Sequence, residues 1–240
     1  MKRTKFILFL LIILALCSCR AENKIETVAK QVSEEIMEQY EPLEGVMTLV
    51  ADAKTGDIIA CVDIGGSSDN RPEAYIYEPG SLFDIFRDSA IMFLPESVRD
   101  SDKAFQFMMN QFGFTEYPMV TAKQIVKAAT VFANHGILGG NEVEVVSPKV
   151  ADTMLLMMEK ATEPDGIARL HGVKDCRVAI VSGDNKLVAS ALAIFPVEKP
   201  KYIVYNVVLH PSKGGITTGT GICVPAVGKI INGINALSSP

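Results

Sequence analysis

Apolar positions change period several times along this chain, and each change marks an element. Ala21 to Tyr40 is mostly polar, with Ile25, Val28, Ala29, Val32, Ile36 and Met37 spaced along one face of a helix that Pro42 ends. Glu44 to Val50 and Ile58 to Ile64 are β-rich runs. The turn Asp52-Ala53-Lys54-Thr55-Gly56-Asp57 joins them, and Gly56 can take a hairpin's positive φ. The middle of the chain reads as helices. Asp102 to Gln111 is bounded by Gly113, and Thr121 to Asn134 has Thr121 as cap and His135-Gly136 as exit. Ser147-Pro148 opens a third, which runs to about Ala161. Within it Met154, Leu155, Leu156, Met157 and Met158 read as core rather than as a cofactor box. Three strands follow Gly166: Cys176 to Val181, Leu187 to Phe195 and Tyr202 to Leu209, with Ser182-Gly183-Asp184-Asn185 as a tight turn. A Gly/Thr-rich loop, Gly214 to Gly221, leads to a last helix from about Pro225 to Ile234. Strands split into two groups by helices predict one antiparallel sheet. The terminal helices cover one face and the helical block the other, an α/β sandwich.

The first residues belong to a different pattern. Lys2, Arg3 and Lys5 precede the apolar run Phe6 to Leu16, whose 11 residues fall short of the roughly 20 needed to span a bilayer. That is the form of a secretory signal, and Leu16-Cys17-Ser18-Cys19 resembles a bacterial lipobox. On this reading residues 1–18 are a signal peptide and Cys19 is lipidated. Residues 19–44 then form an anchor and N-terminal helix, and 45–240 the domain. Two alternatives stay open: modification of Cys17, where bulky Leu16 suits the cleavage position poorly, and an uncleaved anchor helix. Each puts the body outside the cytoplasm and on a membrane, facing the periplasm or exterior.

Composition narrows the partners. With 48% hydrophobic and 21% charged residues the chain is ordinary for a globular protein. A net charge of −5 and the lack of any basic stripe argue against nucleic acid. Beyond the signal, Cys61, Cys176 and Cys223 are isolated, and His135, His171 and His210 stand apart, so neither a metal site nor a cofactor is expected. Whether Cys176 pairs with Cys223 is left open by sequence.

The stretch with the most chemistry is Tyr77-Glu78-Pro79-Gly80-Ser81-Leu82-Phe83-Asp84, where a Pro-Gly turn delivers a serine to the start of a helix. Further marks lie in order along the chain. They are Met47 to Ala60 around Asp-Ala-Lys-Thr-Gly-Asp, Phe112-Gly113-Phe114, Thr121 to Gly136 ending Ala-Asn-His-Gly, and Ala191 to Val208 with Phe195-Pro196. Together they resemble the transpeptidase domain of penicillin-binding proteins and serine β-lactamases. The resemblance implies a five-stranded antiparallel sheet, terminal helices on one face, and on the other a helical lobe that is here shortened. In that family the residue three on from the serine is a lysine, one helical turn away, which takes the hydroxyl proton during acylation. Here it is Asp84. The family's Ser-x-Asn motif has Ser97-Val98-Arg99 as its local counterpart. Its Lys-Thr-Gly, which binds the substrate carboxylate, is replaced after Val181 by Ser182, Gly183 and Asp184, an acid that would repel that group. Lys213-Gly214-Gly215 and Thr218-Gly219-Thr220 imitate the triplet in letters only.

Without an adjacent amine the Ser81 hydroxyl is a weak nucleophile and reads as a retained helix cap. The Asp84 carboxylate is a poor base for a serine hydroxyl. Asp84 and Asp184 read as solvated carboxylates in preference to a new acidic site, and Ser97 and Arg99 as surface residues. The sequence therefore points to a non-catalytic, transpeptidase-like lipoprotein that binds or scaffolds in peptidoglycan processes. Its expected partners are the membrane, through the anchor, and peptidoglycan or cell-wall enzymes. The competing expectation is an active serine transpeptidase, carboxypeptidase or β-lactamase using Ser81.

Overall fold

The computed structural model describes residues 24–66, 71–99, 101–140, 143–170, 172–173, 176–215 and 217–238. The signal region with Cys17 and Cys19, and His171, lie outside them. Helix α1 covers residues 24–40. Then come β1 (Gly45–Asp52), β2 (Ile58–Ile64), a short α2 (Arg71–Ala74), a 3-10 turn (Gly80–Phe83) and α3 (Asp84–Phe93). A second 3-10 turn (Glu96–Val98) precedes α4 (Asp102–Gln111), α5 (Ala122–Ala133) and α6 (Pro148–Lys160). Strands β3 (Ala179–Asp184), β4 (Val188–Phe195) and β5 (Tyr202–Leu209) lead to α7 (Gly219–Ser238). The strands make a single sheet in the order β2-β1-β5-β4-β3, and every pairing is antiparallel.

Alternation along the strands divides the core in two. Met47 and Leu49 of β1, Leu192 and Ile194 of β4, and Tyr205 and Val207 of β5 face helices α3 to α6. Val46 and Val50, Ala189, Ala191 and Ala193, and Val204 and Val208 face α1 and α7. The alanine row on β4 lets α7 lie close to the sheet, so close that a Cβ on Gly219 would fall 2.2 Å from the Ser190 carbonyl oxygen. On the lobe side, Phe86 of α3 meets Phe112 at 5.5 Å, Phe114 at 5.0 Å and Phe132 at 5.6 Å. These rings fix the helix that follows Ser81. A polar chain crosses the other interface: Asn206 Nδ2 donates to Thr48 Oγ1 (2.8 Å), which lies 2.8 Å from Ser33 Oγ, and Ser33 donates to the Ala29 carbonyl.

The β1–β2 turn is clamped from α5. Asn134 Nδ2 reaches the Ala53 and Lys54 carbonyls at 3.3 and 2.9 Å, and Lys127 Nζ reaches that of Thr55 at 2.7 Å. Thr121 and Gln124 close a reciprocal capping box at the start of α5, and Ser147 caps α6.

The expected fold class is present: a mixed α/β sandwich on a five-stranded antiparallel sheet. Three local expectations are corrected. Ser182, Gly183 and Asp184 are strand, and the turn starts at Asn185, whose N–H donates to the Val188 carbonyl at 2.9 Å. The glycine that suggested a turn serves close packing instead, because a Cβ there would lie 2.1 Å from the Leu82 nitrogen. Helix α7 starts at Gly219 with Pro225 inside it, and Thr218 Oγ1 accepts the Gly221 N–H at 3.2 Å, so much of the Gly/Thr loop is helix start. On α6, Met154, Leu155 and Met158 are buried, but Leu156 and Met157 face solvent. The cysteine pairing left open by sequence does not form: Cys61, Cys176 and Cys223 are free thiols, and Cys223 is buried.

Candidate functional site

Two glycines lock the Ser81 turn onto the end of β3. Gly80 has φ of 62°, and a Cβ on it would lie 2.3 Å from the Asp184 carbonyl oxygen. Gly183 leaves room for the Leu82 backbone in the same way. Asn185 Nδ2 donates to the Glu78 carbonyl at 2.8 Å, and Leu82 and Phe83 are buried, with Phe83 4.8 Å from both Phe114 and Tyr117. The turn is therefore rigidly held while Ser81 itself stays exposed. Its Oγ accepts the Asp184 N–H at 3.3 Å. Among the described residues no lysine, histidine or carboxylate is within hydrogen-bond distance of that hydroxyl.

Asp84 does not turn back toward Ser81. It pairs with Arg87 Nη1 at 2.9 Å, one turn further along α3, and Arg87 also lies 3.5 Å from Asp88. A shallow hollow of about 340 Å³ opens in front of Ser81, lined by Glu78, Pro79, Phe83, Asp84, Tyr117 and Pro118. Beneath the loop, Tyr77 Oη is 2.7 Å from Tyr205 Oη, and both rings are buried. Burial, reinforced by Tyr205, holds the Tyr77 phenol well above its ordinary range, and burial raises Tyr205 too. Neither phenol can supply a phenolate base near neutral pH.

The other sequence-predicted positions divide. Ser182, Gly183 and Asp184 come to Ser81, on the strand against which the serine turn packs. Ser182 Oγ is 3.0 Å from Thr220 Oγ1, and Ser190 Oγ donates to the Gly183 carbonyl at 3.2 Å. Thr218-Gly219-Thr220, similar to the motif in letters, thus reaches the strand as the first turn of α7. No local signal showed that, because it depends on where α7 starts. Ser97 and Arg99 are not brought in. Both are exposed at the second 3-10 turn, where Arg99 Nη2 donates to the Leu94 carbonyl at 3.4 Å and lines a separate hollow with Ser147 and Lys149. His135 pairs with Asp152 at 2.7 Å, and His210 lies 3.5 Å from Glu44, both away from Ser81.

A five-stranded antiparallel sheet between two terminal helices and a helical lobe, with a serine turn locked to the edge strand, defines the transpeptidase fold of penicillin-binding proteins. Solved structures bear this out. The transpeptidase domain of the FtsI4 D,D-transpeptidase from Legionella pneumophila superposes with a TM-score of 0.71 at 18% identity, covering 90% of this chain and 96% of that one. The transpeptidase domain of penicillin-binding protein 3 from Burkholderia pseudomallei gives 0.71 at 18%, covering 90% and 93%. A peptidoglycan glycosyltransferase from Burkholderia ambifaria gives 0.73 at 18%, covering 91% and 97%. No protein-family model and no curated protein matches the sequence.

Proposed function

We propose that this protein is a non-catalytic, penicillin-binding-protein-like lipoprotein of the cell envelope, which holds a partner in peptidoglycan processes instead of cutting or joining peptide bonds. The observation that carries this reading is the surroundings of Ser81. Its hydroxyl has a backbone N–H for partner, and the residue one turn on is an acid paired with Arg87. Ser182, Gly183 and Asp184 follow Val181 where the family's third motif would supply a lysine, and none of the three is a cation. Acylation needs a proton acceptor beside the hydroxyl and a cation for the substrate carboxylate, and loss of a single member of such a set costs orders of magnitude in rate. Ser97 and Arg99 stand as surface residues in this reading, and Asp84 and Asp184 as solvated carboxylates.

The structural neighbours include a D,D-transpeptidase and a peptidoglycan glycosyltransferase, which supports an envelope setting. Residues 1–18 serve as the signal peptide, and Cys19 carries the lipid that tethers the chain to a cell membrane or outer membrane. Labelling with a fluorescent penicillin is the test. No covalent adduct is expected with either the intact protein or Ser81→Ala, together with retention on murein or on an envelope protein. An adduct on the intact protein that disappears in Ser81→Ala would overturn the reading in favour of an active serine acyl-transfer enzyme. Cys19→Ala is expected to abolish lipid labelling; continued labelling would place the anchor elsewhere.

A further inference from the structure

The end of the sheet that carries Ser81 also carries the exposed acids Glu78 and Asp184, with Asp84 and Asp88 paired to Arg87. At the opposite end the β1–β2 turn and the β4–β5 connection lie side by side, joined by the Ala53 N–H to Lys201 carbonyl bond at 3.1 Å. They present Lys54, Lys199 and Lys201, all exposed and without a carboxylate partner among the described residues. Of the nearby acids, Asp152 pairs with His135 at 2.7 Å and Glu144, bridged to Ile137, is exposed. Asp52 Oδ1 accepts the Lys54 and Thr55 N–H groups at 2.8 Å, and Glu198 and Glu159 are bound by Arg177 at 3.1 and 2.5 Å. Asp57, exposed, lies on the far side of the turn and lines a different hollow. Between the two lysine-bearing segments is a cavity of about 620 Å³ with Ile137, Leu138 and Pro200 in its lining and the exposed His135 at its rim. A chain of net charge −5 thus places three exposed lysines together beside an apolar recess.

This is also the end nearest the proposed anchor. Helix α1 is antiparallel to α7, as the Lys229–Glu35 pair at 2.7 Å and the close approach of Gly233 to Val28 show, and its exit at Tyr40 adjoins β1's start. Its first turn is therefore at the lysine end. Five residues from Cys19 to Lys24 extend at most about 18 Å. The 17 helical residues then carry the chain about 26 Å away, toward the Ser81 end. We infer that the Lys54–Lys199–Lys201 end docks on an anionic phospholipid surface, with the Ser81 hollow held away from the bilayer. The inference rests on the lipid-anchor reading and adds orientation and partner chemistry to it. Basic groups near an anionic leaflet gain attraction within a Debye length.

Lysine footprinting tests this on the full chain reconstituted in vesicles. An amine-acylating reagent is applied on phosphatidylcholine vesicles with and without phosphatidylglycerol, and modification is read by peptide mass. Lys54, Lys199 and Lys201 are expected to react about fivefold more slowly, or less still, on the anionic vesicles, since one lysine at such a surface is held by roughly 1 kcal/mol. Lys186, exposed at the opposite end, is expected to react equally on both. Equal reactivity of the three lysines on both vesicles, with Cys19 found lipidated in the same digest, would overturn the docking and leave the anchor standing. An unmodified Cys19 would instead remove the tether on which the inference rests.

Discussion

Gly183→Ala separates packing from propensity at the candidate site. Alanine is preferred to glycine within a regular element by roughly 0.5–1 kcal/mol, so propensity alone predicts a slightly more stable protein. Packing predicts the reverse. The new methyl would lie 2.1, 2.4 and 2.5 Å from the nitrogen, Cβ and Cα of Leu82, none of which is the end of a flexible side chain. Relief requires the Ser81 turn to leave β3 by more than 1 Å, since carbon contacts settle near roughly 3.5–4.0 Å. That breaks the Asp184–Ser81 and Asn185–Glu78 hydrogen bonds. Two net hydrogen bonds at about 1 kcal/mol each, with overpacking of about 1–3 kcal/mol, outweigh the propensity gain and leave a loss of about 2–4 kcal/mol. In a domain of this size that lowers Tm by roughly 5–15 °C. Thermal unfolding followed by circular dichroism measures it, with Ser182→Ala as a neighbour expected to cost under about 1 kcal/mol because its hydroxyl pair is exposed. A Gly183→Ala protein that melts with, or above, the parent would refute the interlock of turn and strand.

Other expectations follow from the same structure. Asn134→Ala frees the Ala53 and Lys54 carbonyls and is expected to destabilise by about 1–3 kcal/mol in urea unfolding; an unchanged midpoint would show that the clamp contributes nothing. Thr48→Val cuts the polar chain between α1 and the sheet, strands the Asn206 amide and is expected to cost about 1–3 kcal/mol. Asn206 Oδ1 already lacks a partner among the described residues, so Thr48→Val with Asn206→Leu is expected to cost less than the two changes summed. Additive costs would argue against a coupled network. The Cys61 thiol is pushed up to about 11, first by desolvation and then by Asp63 and Glu26. Its alkylation rate is therefore expected to climb about tenfold per pH unit beyond pH 9 and level off near 11; a plateau by pH 9 would contradict this. The raised value means that the folded state holds this proton more tightly. Its stabilising contribution is full below the ordinary thiol range and lost as pH rises through 11.

Much of this fold is readable along the chain because its signals are local. Short β-rich runs gave β2, β4 and β5 almost residue for residue, and Thr121, Ser147 and Pro148 marked two helix starts by capping chemistry. The misreadings share a cause. Gly183, Gly219 and Pro225 look like breakers, but each is set by what packs beside it: the Leu82 backbone, the Ser190 carbonyl and a helix that starts earlier than its proline suggests. Backbone proximity between segments a hundred residues apart leaves no periodic trace.

The site was half visible for the same reason. Ser81 and Asp84 are three residues apart, so one helical turn relates them and their chemistry follows from sequence. That Asp84 spends its charge on Arg87 is also a local, i to i+3 matter, and was there to be read. The convergence of Ser182, Gly183 and Thr220 on the serine turn is not local, because it needs the sheet order that places β3 at an edge beside α7. The lengths in between set that order: the strands closest in sequence, β3 with β4 and β4 with β5, pair by short connections, and β1 must reach across to β5. A serine turn of this kind can thus be recognised from eight consecutive letters, whereas what its hydroxyl touches is decided by a strand a hundred residues downstream.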